Sequence, residues 1–146
     1  MNAIDLLTFQ HERVSKLFDD FESTNQKEIA DKIFTELELH TQIEEQIFYP
    51  AVQAIDNDLV AESIADHDMV KELIEELRGL DFNDEEFQDK FQELRASVED
   101  HIAVEETEMF PEVESRLAND LDRLGTDMER LHDQLQKGKA TRRTTA

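Results

Sequence analysis

The alternation of apolar and polar residues along the chain predicts helices. In four segments the apolar residues recur at steps of three and four, a spacing that places them on one face of an α-helix. These segments span residues 4–22, 26–55, 58–78 and 84–110. With 3 glycines and 2 prolines in 146 residues, the chain has too few turn-forming residues for a β-sandwich or barrel. We therefore predict an all-α fold built from four amphipathic helices.

The residues between these segments predict how the helices are connected. Asn25 and Asn83 are each followed three residues later by a glutamate, as at many helix N-termini. Asn57 is expected to begin the third helix, and Gly79 to end it. Because such short connections join antiparallel neighbours, residues 1–115 are predicted to form an antiparallel up-down-up-down four-helix bundle.

An additional C-terminal helix is predicted after the bundle. Six apolar residues from Leu117 to Leu135 recur at steps of four and three. Residues 116–136 are therefore expected to form a helix that packs on the bundle or, in the alternative, on a second chain in a homodimer. The last segment, residues 137–146, is basic and polar, and we expect a disordered tail there.

Composition narrows the classes of function and location. The chain has no cysteine, which excludes disulfides, thiolate metal sites, iron–sulfur clusters and a cysteine nucleophile. Its formal net charge of −22 disfavours binding to nucleic acid or to an anionic membrane surface. The N-terminal residues lack the features of a secretory signal, and no apolar run approaches the roughly 18–20 residues of a membrane helix. We expect a cytoplasmic protein.

Histidines on the apolar faces are the candidate chemical groups. Four of the five histidines lie there, one on each predicted helix of the bundle. Two of them precede a glutamate by four residues, which places both side chains on one helix face. An offset of 61 aligns HTQIEEQIFYP (40–50) with HIAVEETEMFP (101–111), so the chain contains two copies of a helix hairpin. The candidate site residues are His11, His40, Glu44, His67, His101 and Glu105.

These six residues point to a dinuclear metal site. A buried carboxylate is costly unless a cation accompanies it, and no lysine or arginine lies on the apolar faces at the level of Glu44 and Glu105. Nitrogen and oxygen ligands without sulfur suit iron, manganese or zinc. The alternative from another class is a structural bundle whose core histidines are satisfied by hydrogen bonds.

The set of residues resembles a hemerythrin-like HHE cation-binding domain over residues 4–115. The resemblance implies two Fe ions joined by an oxo or hydroxo bridge, with Mn or Zn as the alternatives. It places His11 and His40 on one iron, His67 and His101 on the other, and Glu44 and Glu105 between them. Oxygen-carrying members have a further histidine where this chain has Lys71. That departure implies a position free for a ligand on both irons.

The resemblance also implies a function. We expect a non-haem diiron protein that binds or reacts with O2, NO or peroxide, in sensing, storage or stress detoxification. The alternative is an iron-dependent regulatory or iron-centre repair module without turnover of its own. Lys71 is expected either to bind an anionic ligand or to extend into solvent.

Four other residues near the motifs have expected roles. Tyr49 is assigned to packing, although its hydroxyl could reach the site. His132 is assigned to the surface. Glu45 and Glu106 are expected to support the ligands from behind or to face solvent.

Overall fold

A computed structural model describes the backbone of residues 1–145 and the side chains of residues 1–139. The described part contains helices and no strand, which confirms the predicted all-α fold. Two five-residue π-helical segments and one 3-10 turn interrupt the α-helices; their bounds are Glu44–Phe48, Glu105–Met109 and Ala118–Asp120. The α-helices are α1 (Ala3–Thr24), α2 (Lys27–Ile43), α3 (Tyr49–Val52), α4 (Asn57–Arg78), α5 (Glu85–Val104), α6 (Phe110–Arg116) and α7 (Leu121–Thr145).

Two helical hairpins form the bundle. Helix α1 packs along α2, and α4 packs along α5; contacts of α1 with α5 and of α2 with α4 join the hairpins. This pairing agrees with the expected up-down-up-down order. None of the described helices is long and apolar enough to cross a membrane.

Three of the predicted helix-capping residues are wrong. Asn25 does not begin α2 but ends α1, in the left-handed conformation with φ 49° that asparagine tolerates. Asp56 and Asp84, each one position from the expected asparagine, accept backbone N–H groups at the starts of α4 and α5. A carboxylate there also interacts favourably with the positive end of the helix dipole. Gly79 ends α4, as predicted.

The apolar core consists of two clusters along the bundle. One contains Phe48 and Met109, and the other contains Phe18, Phe34 and Phe91. On each long helix the candidate histidine falls between residues of these two clusters. The candidate site is therefore a polar layer that apolar side chains seal from above and below.

Helix α7 packs against α1 and α2 of the same chain. Leu124 and Met128 are buried in this contact. The backbone of Met1 passes so close to Gly125 that a Cβ atom there would overlap the Met1 carbonyl oxygen. The homodimer stays a prediction. The disordered tail predicted for residues 137–146 falls mostly outside the side chains that the structure describes, and the α7 backbone runs to Thr145.

Candidate metal centre

The four long helices bring all six candidate residues together. Helices α1, α2, α4 and α5 each supply one histidine, and the two π-helical segments begin at the two glutamates. Each of the six residues has a relative exposure of 7% or less. The buried cluster is His11, His40, Glu44, His67, His101 and Glu105.

The donor atoms fall into two groups that could each hold a metal ion. Within each group the donor atoms lie within 4.8 Å of one another. The first donor group contains two imidazoles and both carboxylates, and the second contains two imidazoles and one shared carboxylate. Their members are His11, His40, Glu44 and Glu105 in the first group, and Glu44, His67 and His101 in the second.

Protein partners alone do not satisfy the cluster. Among the described residues, His40 Nε2 and Glu44 Oε2 are buried and lack a hydrogen-bond partner. His40 Nε2 lies 3.0 Å from Glu44 Oε1, yet no hydrogen bond joins them. An unpaired buried polar atom costs about 1–3 kcal/mol. Both orphaned atoms are metal donors, so the residues present fit a bound metal.

The charges of the cluster also indicate that the buried carboxylates need positive charge beside them. Burial alone would raise the pKa of Glu44, but His40 and His101 hold it well below its ordinary value. Burial lowers the pKa of His101, while Glu105 and Glu44 outweigh this effect and raise it to about 11. Burial likewise opposes protonation of His11 and His67, whose pKa values the glutamates nevertheless raise. The buried carboxylates thus require positive charge, which imidazolium groups or divalent cations can provide.

Two carboxylates orient one histidine of each hairpin from behind. His11 Nδ1 donates to Glu106 Oε2 at 2.8 Å, and His67 Nδ1 donates to Glu45 Oε2 at the same distance. These contacts leave the Nε2 atoms turned toward the cluster. A carboxylate behind a metal-binding imidazole fixes its tautomer and raises its basicity.

The other two histidines have unlike partners. His40 Nδ1 donates to the amide oxygen of Gln10 at 2.7 Å, and His101 Nδ1 donates to Asp66 at 3.1 Å. Gln10 and Asp66 directly precede the histidines of the opposite helices in the sequence. All four imidazoles therefore have a polar partner on the side away from the cluster.

The π-helical segments follow from the prolines of the repeated motif. Pro50 and Pro111 each lie two residues after a π-helical segment ends. A proline ring clashes with the carbonyl group four residues earlier in a regular α-helix, and the wider π turn relieves that clash. The N–H groups of Tyr49 and Phe110 instead bond to the carbonyl groups five residues earlier. Tyr49 and Phe110 are thereby turned toward the same side as the glutamates.

Tyr49 places its hydroxyl inside the cluster. The Oη atom donates to Glu105 Oε2 at 2.7 Å and lies 3.3 Å from Glu44 Oε1. It also lies 3.0 Å from His67 Nε2 and 3.2 Å from His101 Nε2. Burial and the two neighbouring carboxylates raise the pKa of Tyr49, so the phenol retains its proton. The corresponding residue of the second repeat, Phe110, lies parallel to the His11 ring and carries no such group.

Comparison with known proteins identifies the family. The model of the hemerythrin HHE cation-binding domain matches residues 2–113 and 65–144. The chain belongs to this family. The second match begins two residues before His67, in agreement with the internal repeat.

Two known proteins are similar to this HHE domain. A crystal structure of an HHE cation-binding domain-containing protein from Mycobacterium kansasii superposes with a TM-score of 0.80 at 27% identity, covering 92% of this chain and 86% of that one. A Nostoc protein named DNA nickase is 26% identical over 125 residues, which is 82% of this chain and 36% of that protein. The HHE domain thus spans about a third of the Nostoc relative's length.

The structure also shows the positions of Lys71 and His132. Lys71 does not enter the cluster, because its Nζ atom binds Glu45 Oε2 at 3.0 Å. Of the two roles expected for Lys71, the structure shows the side chain at the solvent-exposed surface, paired with Glu45. His132 lies on α7 outside both donor groups.

A small cavity adjoins the cluster on the side of the second apolar cluster. Its volume is about 20 Å³. The aliphatic side chains that enclose it come from all four long helices; four of them lie three residues from a histidine, and Ile102 directly follows His101. The cavity is lined by the four histidines, by Gln10 and Thr41, and by Val14, Leu37, Val70, Val98 and Ile102.

The sequence did not predict every residue at the centre. It assigned Tyr49 to packing first, although the hydroxyl lies among the donor atoms. The available signal was the proline of the repeated motif, which favours a π turn and thereby brings the fifth residue after the glutamate inward. Gln10 and Asp66 were missed as well, and their position directly before a candidate histidine in each hairpin was the signal for them.

Proposed function

We propose that this HHE domain binds two iron ions and that its function is to bind or react with O2, NO or peroxide at them. The observation that carries the proposal is the buried cluster with its orphaned His40 Nε2 and Glu44 Oε2 atoms. The family to which the chain belongs supports iron as the bound metal, and so do donor atoms that are all nitrogen or oxygen. Manganese or zinc would fit the same donors.

The proposed ligand roles follow the two donor groups. His11 and His40 would hold one ion, and His67 and His101 the other. The Glu44 carboxylate belongs to both groups, which supports a bridging role for it. For Glu105 the repeat supports the same role, because Glu105 occupies the position of Glu44 in the second hairpin.

The size of the neighbouring cavity supports a diatomic or peroxidic ligand. A space of about 20 Å³ holds a molecule close to the size of water and excludes organic substrates. Its lining combines aliphatic side chains with those of the four histidines, Gln10 and Thr41, so the space lies directly against the proposed ligands. When bound, iron would supply the electrons exchanged with such a ligand.

The protein's own groups would control water and protons around that chemistry. Leu37, Val70 and Val98 line the cavity and keep bulk water away from the histidines. Tyr49 holds a proton on Oη, 2.7 Å from Glu105 and within reach of the second donor group. That hydroxyl lies among the donor atoms and could donate to an anion bound between them. The net charge of −22 disfavours contact with nucleic acid, so we assign nucleic acid no role.

The test is metal analysis of protein purified from an iron-supplied culture, followed by absorption spectra before and after admission of air, NO or peroxide. We expect about two irons per chain and a spectrum that changes with at least one of the three ligands. Less than one iron per chain with an unchanged helical fold would contradict the proposal.

Two matched variants test whether the metal binds at this site. Glu44→Gln keeps the size of the side chain and removes the shared carboxylate, so it should lose at least one of the two irons. His132→Ala removes the histidine outside the cluster and should retain both. Equal iron contents in these two variants would exclude Glu44 as a bridge.

A further inference from the structure

Gln10 lies between the small cavity beside the cluster and a groove on the surface. This α1/α7 groove has a volume of about 220 Å³. Its walls are Leu6, Phe9, Gln10 and Arg13 of α1, Glu36 of α2 and four residues of α7. Of the residues that the structure describes, Gln10 is the single one that lines both the groove and the cavity. Any passage between the two spaces therefore runs past Gln10.

The helical spacing on α1 explains why Gln10 belongs to both spaces. The four groove-lining residues of α1 occupy positions i, i+3, i+4 and i+7, so they share the face of the helix that looks toward α7. Gln10, His11 and Val14 form the adjoining face, which lines the cavity. Gln10 thus stands at the boundary between these two faces.

The Gln10 side chain is held in place and buried. Its amide oxygen accepts from His40 Nδ1 at 2.7 Å, and the residue is 9% exposed. The corresponding residue of the other hairpin, Asp66, also supports a histidine, but its side chain is 46% exposed and lines neither the cavity nor the groove. Support of a histidine therefore does not by itself require burial. The burial of Gln10 closes the cavity toward the groove.

The charges along the groove favour an uncharged ligand. Three carboxylates line it, those of Glu36, Glu129 and Asp133. Arg13 pairs with Glu36 at 3.2 Å, and the N-terminal ammonium group pairs with Glu129 at 3.3 Å, so the groove has no excess of positive charge. The whole chain carries a formal net charge of −22, which lowers the concentration of anions at its surface. An uncharged molecule meets no such barrier.

We propose that the α1/α7 groove is the route by which a small uncharged ligand reaches the metal centre, and that Gln10 is the gate that sets its size limit. The proposal rests on the proposed function and adds the route and the selectivity. When the Gln10 side chain swings away from His40, the groove and the cavity are connected. Diatomic molecules then pass, and larger organic molecules remain in the groove.

The first test uses metal-free protein, because Tyr49 is the only tyrosine of a chain without tryptophan. Its hydroxyl lies 3.0 Å from Nε2 of His67, a residue of the cavity wall, so quenching of its fluorescence by O2 or acrylamide measures access to the cluster. Gln10→Ala shortens the gate, and Gln10→Met keeps its length; both lose the hydrogen bond to His40. We expect Gln10→Ala to raise quenching by O2 at least about threefold and to admit acrylamide. Gln10→Met should stay close to wild type.

Gln92→Ala is the matched control for truncation of a glutamine. Gln92 is exposed on α5 and lines neither the groove nor the cavity, so its replacement should leave quenching unchanged. Equal quenching in Gln10→Ala and Gln10→Met would show that the bulk of residue 10 does not control access. The same effect in Gln10→Ala and Gln92→Ala would overturn the proposal as well.

A second test leaves the buried residues unchanged and obstructs the groove. Because the chain has no cysteine, Phe9→Cys introduces a single thiol in the groove wall, at a residue that is 51% exposed. Coupling a maleimide-linked polyethylene glycol chain to it should reduce quenching by O2 at least about twofold. The same label on Met69→Cys, at a 54% exposed residue outside the groove, should have no effect. Unchanged quenching after labelling of Phe9→Cys would exclude the groove as the route.

In iron-loaded protein the gate should change rates rather than affinity. Compared with Gln10→Met, Gln10→Ala should raise the association and dissociation rate constants of NO together and leave their ratio unchanged. A change confined to dissociation would contradict a gate at Gln10. If the protein binds no stoichiometric iron, the proposed function fails, whereas the quenching of Tyr49 still decides whether small molecules enter past Gln10.

Discussion

Tyr49 is the single side chain that most clearly distinguishes the two halves of the centre. Replacing it with phenylalanine copies the residue of the second repeat and removes only the hydroxyl. We expect Tyr49→Phe to keep both irons, since the histidines and carboxylates remain. Its reaction with peroxide or NO should slow at least about tenfold, because a proton donor in the site is lost.

Stopped-flow mixing of the iron-loaded variant with peroxide and with NO provides the measurement, with iron per chain determined on the same sample. An unchanged rate for both ligands would show that the Tyr49 proton takes no part. Loss of iron would instead show that the hydroxyl is needed to position Glu105, to which it donates at 2.7 Å.

Glu38 on α2 is an ion-pair partner that makes stability depend on pH. Arg78 on α4 binds both of its carboxylate oxygens, at 2.8 and 2.9 Å, and this pair holds the pKa of Glu38 below its ordinary value. A carboxyl group with a lowered pKa in the folded state stabilises the fold fully above its unfolded pKa. That contribution is lost as the pH falls through the folded value.

Glu38→Gln should therefore be less stable than wild type at pH 7, by less than about 1 kcal/mol because the pair is partly exposed. The difference should disappear as the pH falls through the lowered pKa of Glu38 in the folded state. Urea unfolding at a series of pH values measures it. A difference that stays constant down to the lowest pH would show that the ion pair is not its cause.

Among the elements, α7 depends on a glycine for its position. Gly125→Ala should destabilise the protein although alanine favours helix by about 1 kcal/mol, because the added Cβ would overlap the backbone of Met1. Gly138→Ala, on the same helix, places its Cβ in open space and should leave stability equal or slightly higher.

Thermal unfolding of the two glycine variants, at equal metal content, compares these effects. The Tm of Gly125→Ala should fall by several degrees, and that of Gly138→Ala should not fall. Equal Tm values would show that the contact between α7 and the N-terminal segment can shift without loss of stability.

The same elements show what sequence reasoning could and could not predict. The five helical segments and the cluster of six residues follow from the sequence, because polar groups that recur on apolar faces are conspicuous. A regular helical period of 3.6 residues does not predict that the Tyr49 side chain points into the cluster, because a π turn is needed to orient it that way. Helix caps were misplaced where an aspartate beside the expected asparagine competes for the same role, as at Asp56. The approach of Met1 to Gly125 depends on residues far apart in sequence.

For the molecule as a whole, the acidic residues divide into a buried pair and a charged surface. Of 37 aspartates and glutamates, only Glu44 and Glu105 are buried in the described part of the chain. The other acidic residues of the described part are half-buried or exposed, and the chain has only 15 lysines and arginines to offset them. Repulsion among the surface carboxylates therefore opposes the compact state.

Added salt should reduce this repulsion and stabilise the fold. The screening length shortens from about 10 Å in 0.1 M salt to about 3 Å in 1 M salt, so repulsion between neighbouring surface charges weakens steadily. We expect the Tm to rise as NaCl increases over that range, with metal content held constant. Calorimetry in NaCl and in KCl measures the effect and distinguishes screening from binding of one particular ion. A Tm that falls with salt would mean that surface ion pairs such as those of Arg95 with Asp19 and Glu22 contribute more than the repulsion does.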